Sequence, residues 1–344
     1  MKDFYFSFAV TAICLALAAW WGMENGVGIV HALTLTCVLS VLEVSFSFDN
    51  AVVNAAVLKE MSVRWQKIFL TVGILIAVFG MRLLFPVVIV AVATGLGMAE
   101  VTRMALEQPE EYARHLAASH VGISAFGGSF LLLIFLSFLL NKDKKLHWLG
   151  VIEAKLSQLG KLDSIGVFIA LLTLMGMYKW MPLDAAEKLT LLGAGIGGIV
   201  LFIAISSLDR FFALDETTLA NPGVARRNGV TAFLYLEVLD ASFSFDGVIG
   251  AFAITRDVVI IMLGLGVGAM FVRSLTVHLV RKGTLDHYVF LEHGAHYAIG
   301  TLAIIMLLGI ALHIPELFTG LIGVVFIALA LFSSIRYRKK TGHS

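Results

Sequence analysis

A chain of 344 residues that is 59% hydrophobic and 14% charged is not an ordinary soluble domain, in which about a quarter of residues are charged. A net charge of +1 excludes an extended basic surface of the kind that neutralises nucleic-acid phosphates. Five prolines and no low-complexity tract exclude long disordered linkers. Cys14 and Cys37 lie in apolar runs without Cys-x-x-Cys spacing, which excludes a disulfide framework or thiolate metal centre.

A helix needs about 20 apolar residues to cross a bilayer. Ten segments read as such spans: 4–21, 29–57, 68–97, 121–140, 164–180, 189–207, 229–254, 257–280, 289–312 and 316–335. The first has a long apolar core running into Trp20 and Trp21, and reads as a span rather than a cleaved signal peptide. A polar insert, 98–120, follows the third span; it has helical spacing and a net charge of −2. The loop 141–163 follows the fourth and carries five lysines. Its VIEAKLSQLGKL portion has the pattern of an interfacial amphipathic helix.

Basic residues orient the spans. With both termini in the cytoplasm, 18 lysines and arginines fall in inside segments and 5 in outside ones. The remaining two, Arg82 and Arg273, fall within spans. The expected protein is therefore all-α, a polytopic helix bundle of about ten spans in the inner (plasma) membrane. Its termini are cytoplasmic and the bilayer is its first partner.

One stretch occurs twice. LEVSFSFDNAVVNAA starts at Leu42 and LEVLDASFSFDGVIGAF at Leu236. At an offset of 197 residues Asp49 aligns with Asp246, and Glu43 with Asp240; the second copy adds Glu237. Ionisable groups at membrane depth cost about 2.5–3.5 kcal/mol each on insertion scales and read as functional. The two copies fall on the second and seventh spans, which cross in opposite directions. That predicts an inverted repeat, the architecture in which transporters build a midplane site. The halves would be 1–188, containing spans one to five with both polar insertions, and 189–344, containing spans six to ten. Arg82 and Arg273 follow their motifs by 33 and 27 residues.

Glu237 and Asp240, three residues apart, sit about 60° from each other on a helix, whereas Glu43 and Asp49 sit about 120° apart. Sharing an ion would then require a break, so both motif helices are expected to unwind, near Ser45–Asn50 and Ser242–Gly247. Carboxylates, an amide and hydroxyls are hard oxygen ligands, suited to Mg, Ca or Mn. No His, Cys or Met stands at ligand spacing within the motifs, which argues against Zn, Cu or Ni. Five acids in a low-dielectric site cannot all ionise without compensation. Arg82 and Arg273 supply two charges, a divalent cation would supply two more, and metal binding displaces protons.

Blander readings compete. The acids could form structural ion pairs with the arginines, and the arginines could merely position helices or snorkel. The motif phenylalanines read as packing and lipid contacts. Glu292, His293 and His296 in FLEHGAHYAIG could face the bundle and assist transport, or lie at a boundary where polar residues need no explanation. His31, His120, His278 and His313 read as interfacial or singly satisfied groups. A paired-aspartate protease would leave Glu43, Glu237 and Asp240 without a task. Gly-x-Ser-x-Gly, His-Glu-x-x-His and Walker-type patterns are absent from the sequence, so catalysis is not expected.

Glu-x5-Asp-Asn in the first half and Glu-x2-Asp-x5-Asp in the second resemble the TerC-like integral membrane family. That family is related to the lysine-exporter superfamily and associated with tellurium resistance and manganese efflux. The resemblance implies a metal site of Glu43, Asp49, Asn50, Glu237, Asp240 and Asp246. Arg82 and Arg273 would balance charge, and Glu292 and His296 could be accessory. It also implies export of a divalent cation, manganese favoured, in exchange for protons, with the metal as transported substrate and no resident cofactor. Two features depart from the pattern: Gly247 stands where that family often has serine, and FLEHGAHYAIG suggests a separate branch. The alternative is a non-transporting scaffold or metal-sensing accessory protein.

Overall fold

A computed structural model describes residues 4–59, 61–142, 144, 146–160, 164–216, 229–283, 288–312, 314 and 316–341. Side chains of several helical residues, Asp49 and Asp246 among them, lie outside that description. So do Lys2, Lys145, Lys161, Arg226 and Arg227 of the orientation count.

The described chain is helical. In order come α1 (Tyr5–Glu24), α2 (Ile29–Phe46), α3 (Phe48–Leu58) and α4 (Val63–Leu75). A π-helical stretch, Ile76–Leu84, leads into α5 (Phe85–Thr94). The polar insert forms α6 (Met98–Glu107) and α7 (Pro109–Ala118). Then follow α8 (His120–Leu139), the short α9 (Val151–Leu159), α10 (Ile165–Trp180) and α11 (Ala185–Glu216). Last are α12 (Gly229–Ile254), α13 (Val258–Arg281), α14 (Leu291–Gly309) and α15 (Glu316–Thr341). Every expected span coincides with a helix or a run of adjoining helices. Among the described residues six helices are individually long and apolar enough to cross a bilayer, and the bent pair α2–α3 makes a seventh.

Helix continuity separates the two motif copies. The first is broken at Ser47, where α2 and α3 meet at 56°. The second runs unbroken through Ser242–Gly247 within α12, which corrects the expectation that both helices unwind. The cause is local. The Ser47 hydroxyl donates to the Glu43 carboxylate at 3.2 Å, which Arg82 also holds. At the matching position Asp240 is one methylene shorter and lies between Arg82 and Arg273. The Ser242 hydroxyl back-bonds to the Val238 carbonyl at 2.9 Å, as its counterpart Ser45 does to Val41 at 2.7 Å. The copies therefore differ at Ser47, whose counterpart Ser244 makes no such bond to an acid.

The chain folds as two compact units, neither of them a contiguous half: residues 1–119 with 232–284, and 120–231 with 285–344. The first unit thus holds the first, second, third, seventh and eighth expected spans. The other holds the fourth, fifth, sixth, ninth and tenth.

In the first unit α13 packs on α1, α2, α3 and the π stretch. Small residues make that approach close, as is usual where no water is available to drive helices together. A Cβ on Gly264 would stand 2.6 Å from the Leu39 Cβ, and one on Gly268 would stand 2.5 Å from the Glu43 Cγ. Hydroxyls fasten the contact: Ser40 donates to the Gly264 carbonyl at 3.0 Å and Ser7 to the Met270 carbonyl at 2.9 Å. Asp257 caps α13 by accepting from the Val259 and Ile260 N–H groups, and also accepts the Trp21 indole N–H at 2.8 Å. In the second unit α8 packs on α11, α14 and α10, and α14 on α15.

Gly268→Ala should drive α13 off α2, costing about 1–3 kcal/mol by overpacking. Gly193, in α11, would set its Cβ in open space, so Gly193→Ala should be neutral or slightly stabilising. Thermal unfolding of the detergent-solubilised variants checks the pair: a lower midpoint is expected for the first only.

Candidate functional site

The site is built inside the first unit. Glu43 sits near the end of α2, four residues before the break at Ser47. Glu237 and Asp240 sit on α12, Arg82 in the π stretch and Arg273 on α13. All five are buried, each less than a tenth exposed.

Arg82 joins the copies. Its Nη2 donates to Glu43 Oε1 at 2.5 Å, and its Nη1 lies 3.7 Å from Asp240 Oδ2. Arg273 reaches the same Asp240 oxygen from its Nη2 at 3.5 Å, and Glu237 Oε1 at 3.4 Å. Its Nη1 donates to the Phe69 carbonyl at 3.1 Å, and its guanidinium lies 4.2 Å over the Phe69 ring. The order is therefore Glu43–Arg82–Asp240–Arg273–Glu237. Buried ions without partners cost several kcal/mol each, so such pairing is what makes the arrangement tolerable.

The acids are not held equally. The Arg82–Glu43 contact is short and charge-assisted, whereas the contacts of Arg273 lie at the long edge of hydrogen bonding. The second oxygen of Glu237, Oε2, is buried without a hydrogen-bond partner, as are Ser244 Oγ and Asn54 Oδ1. Acceptors left so at the centre of a membrane protein require explanation. Glycines wall the cluster: a Cβ at Gly73 would fall 2.7 Å from Glu237 Oε1 and 2.6 Å from Arg273 Nη1, and one at Gly247 would fall 3.1 Å from Glu43 Oε2.

The π stretch aims Arg82. Pro86, at the start of α5, has no N–H to offer the carbonyl four residues back, that of Arg82. A widened turn absorbs the mismatch, and such bulges concentrate at functional sites. Proline four residues after a buried arginine is the signal that sequence reasoning passed over. The Phe69 carbonyl and Asn54 were also missed, whereas Ser47 falls in the stretch expected to break. Asn54 was legible in part, one helical turn beyond Asn50 on the same face of α3.

Of the expected ligands, Glu43, Asn50, Glu237 and Asp240 are buried in this unit. The Asp49 and Asp246 side chains lie outside the described residues. Among the described residues no three His, Cys, Asp or Glu side chains are grouped as a metal would require; the described acids face arginines. Glu292 and His296 belong to the other unit. There His296 Nδ1 bonds the Glu292 carbonyl at 2.8 Å, and its ring stacks on Phe138 at 3.9 Å.

No curated protein and no solved structure matches this chain. One family model does match, over residues 48–341, from the second half of the first motif to the end of α15. Glu43 lies upstream of the matched region, while Arg82, Glu237, Asp240 and Arg273 lie within it. The match covers most of the chain, and the protein therefore belongs to the family described as "Protein of unknown function (DUF475)".

Proposed function

We propose that this chain is a multi-pass transporter of the inner (plasma) membrane that exports a divalent metal cation, manganese favoured, in exchange for protons. The TerC-like resemblance of the two motifs first suggests it. The observation that carries it is the meeting of acids from both copies on one guanidinium group, Glu43 and Asp240 on Arg82. Acids that only braced one helix against its neighbour would not need to converge across a duplication.

In this reading the arginines stand in for the cargo. When the cation enters, Glu43, Asp49, Asn50, Glu237, Asp240 and Asp246 turn to it, and protons leave by the same exchange. Glu237 Oε2, unpartnered and buried, is the oxygen readiest to accept a new cation. Hard oxygen donors suit manganese, calcium or magnesium, and the TerC-like resemblance favours manganese among them. Both termini would be cytoplasmic, as the basic bias requires, and no catalytic step is assigned.

A second reading has its own support. Between them the two arginines already pair with all three described acids of the cluster, as a purely structural ion network would. The chain would then be a membrane scaffold or a metal-sensing accessory.

Purified protein in proteoliposomes, with a manganese-quenched dye inside and an imposed proton gradient, separates the two. A transporter moves the ion and a scaffold does not. Asp49→Asn and Asp246→Asn should each abolish flux while inserting normally, and wild-type flux from both would remove the site assignment. Arg82→Gln should leave Glu43 and Asp240 uncompensated, destabilising the protein by about 3–5 kcal/mol if they stay ionised. Arg82→Lys should recover much of that stability but not the two-armed contact. Thermal unfolding across the three proteins reads this order directly.

A further inference from the structure

The lysine-rich loop of the second unit turns its helix in an unusual sense. In α9 the acid points inward: the Glu153 side chain is 0% exposed, with Ser157 buried beside it. The large apolar residues point outward, with Val151 71% and Ile152 65% exposed and Leu149 and Leu159 also on the surface. Lys142 and Lys155 are exposed with them.

The inward acid is well provided for. Glu153 Oε1 pairs with the Lys144 ammonium, and Oε2 accepts the Leu149 N–H at 3.0 Å. His293 Nε2 stands 3.7 Å from Oε1 while contacting the Leu146 carbonyl at 3.0 Å. Lys144 also lies 4.1 Å over the Phe138 ring and donates to the Phe138 carbonyl at 3.2 Å. Burial alone would raise the Glu153 pKa, but Lys144 and the Leu149 N–H outweigh it and hold the carboxyl below its ordinary value. The acid thus stays charged and withdrawn.

Two consequences follow for the outer face. Adjacent large apolar side chains presented outward mark a surface that water does not cover. With Glu153 withdrawn, the charges that α9 and its approach present among the described residues are Lys142 and Lys155 alone. Apolar residues beside lysines on a short helix fit the boundary of headgroups and acyl chains. The same lysines assign this loop to the cytoplasmic side, where anionic lipids gather.

We propose that α9 together with Lys142 forms a recognition site for anionic phospholipid headgroups. Helix α9 lies along the bilayer surface with Val151 and Ile152 immersed, and Lys142 and Lys155 rest on lipid phosphates. The Lys144–Glu153 pair sets the rotation of the helix by keeping its acid away from those phosphates. The site is independent of what the first unit transports.

The test uses the full chain with Cys14→Ser, Cys37→Ser and Ile152→Cys, labelled with an environment-sensitive fluorophore. It is reconstituted in phosphatidylcholine vesicles with or without phosphatidylglycerol. Phosphatidylglycerol should shift the emission to the blue, salt should reverse the shift, and Lys142→Gln with Lys155→Gln should abolish it. Equal emission in both lipids, or a shift that survives the double glutamine variant, would overturn the proposal. The salt titration on unsubstituted lysines keeps the test decisive even if the double variant folds poorly.

Discussion

A carboxylate withdrawn from water must meet a cation or take up a proton, and in the first unit this rule organises the helices. Asp240 Oδ2 lies within reach of both Arg82 and Arg273. Of the segments that carry these groups, α12 and α13 are consecutive, while the π stretch lies about 150 residues earlier in the sequence. Loss of one arginine would leave charge stranded in a medium that cannot solvate it. The glycine surfaces follow from the same demand: at Gly73 and Gly268 any larger residue would occupy space that the ion network and its carrier helices require.

Identical pentapeptides fold differently because their neighbours differ. Ser-Phe-Ser-Phe-Asp breaks its helix in the first copy and continues it in the second. Neither propensity nor pattern distinguishes them. The flanking residues differ, Val44 and Asn50 against Ala241 and Gly247, and so does the acid six residues before the aspartate, glutamate in one copy and aspartate in the other. Glu43 is long enough to accept from Ser47 on its own helix while reaching Arg82. Asp240 is drawn across to the arginines, and Ser244, the counterpart of Ser47, is left with its hydroxyl buried and unpartnered.

The sequence shows membrane character, the ten apolar segments and the ionisable residues inside them, because hydrophobic length and misplaced charge are properties of the chain alone. It does not show which helices would share a unit. That choice depends on complementary surfaces such as Gly264 and Gly268 against Leu39 and Glu43, a matter of pairwise fit between segments more than two hundred residues apart. Glu43, Glu237, Asp240 and both arginines were legible as one site from their depth and duplication. That the arginines would occupy the acids so fully was not, since spacing gives no distances. The unwinding of α12 was expected from the symmetry of the motif and failed because the repeat is not symmetric at Glu43 and Asp240.

Unequal contacts decide which acids can change partner. Glu43 is held at 2.5 Å by Arg82 and backed by Ser47, whereas Glu237 and Asp240 meet Arg273 at 3.4 and 3.5 Å. Arginine does not surrender its proton in a protein, so any exchange must be borne by the carboxylates or by movement of a guanidinium. Moving Arg273 breaks weak contacts; moving Arg82 breaks a strong one. In the proposed cycle the contacts of the second copy therefore yield first, and Glu43 is the last of the described acids to change partner. Charge agrees with this division. With Asp49 and Asp246 counted from the sequence, five acids against two arginines leave three negative charges, which one divalent cation and one proton would cancel.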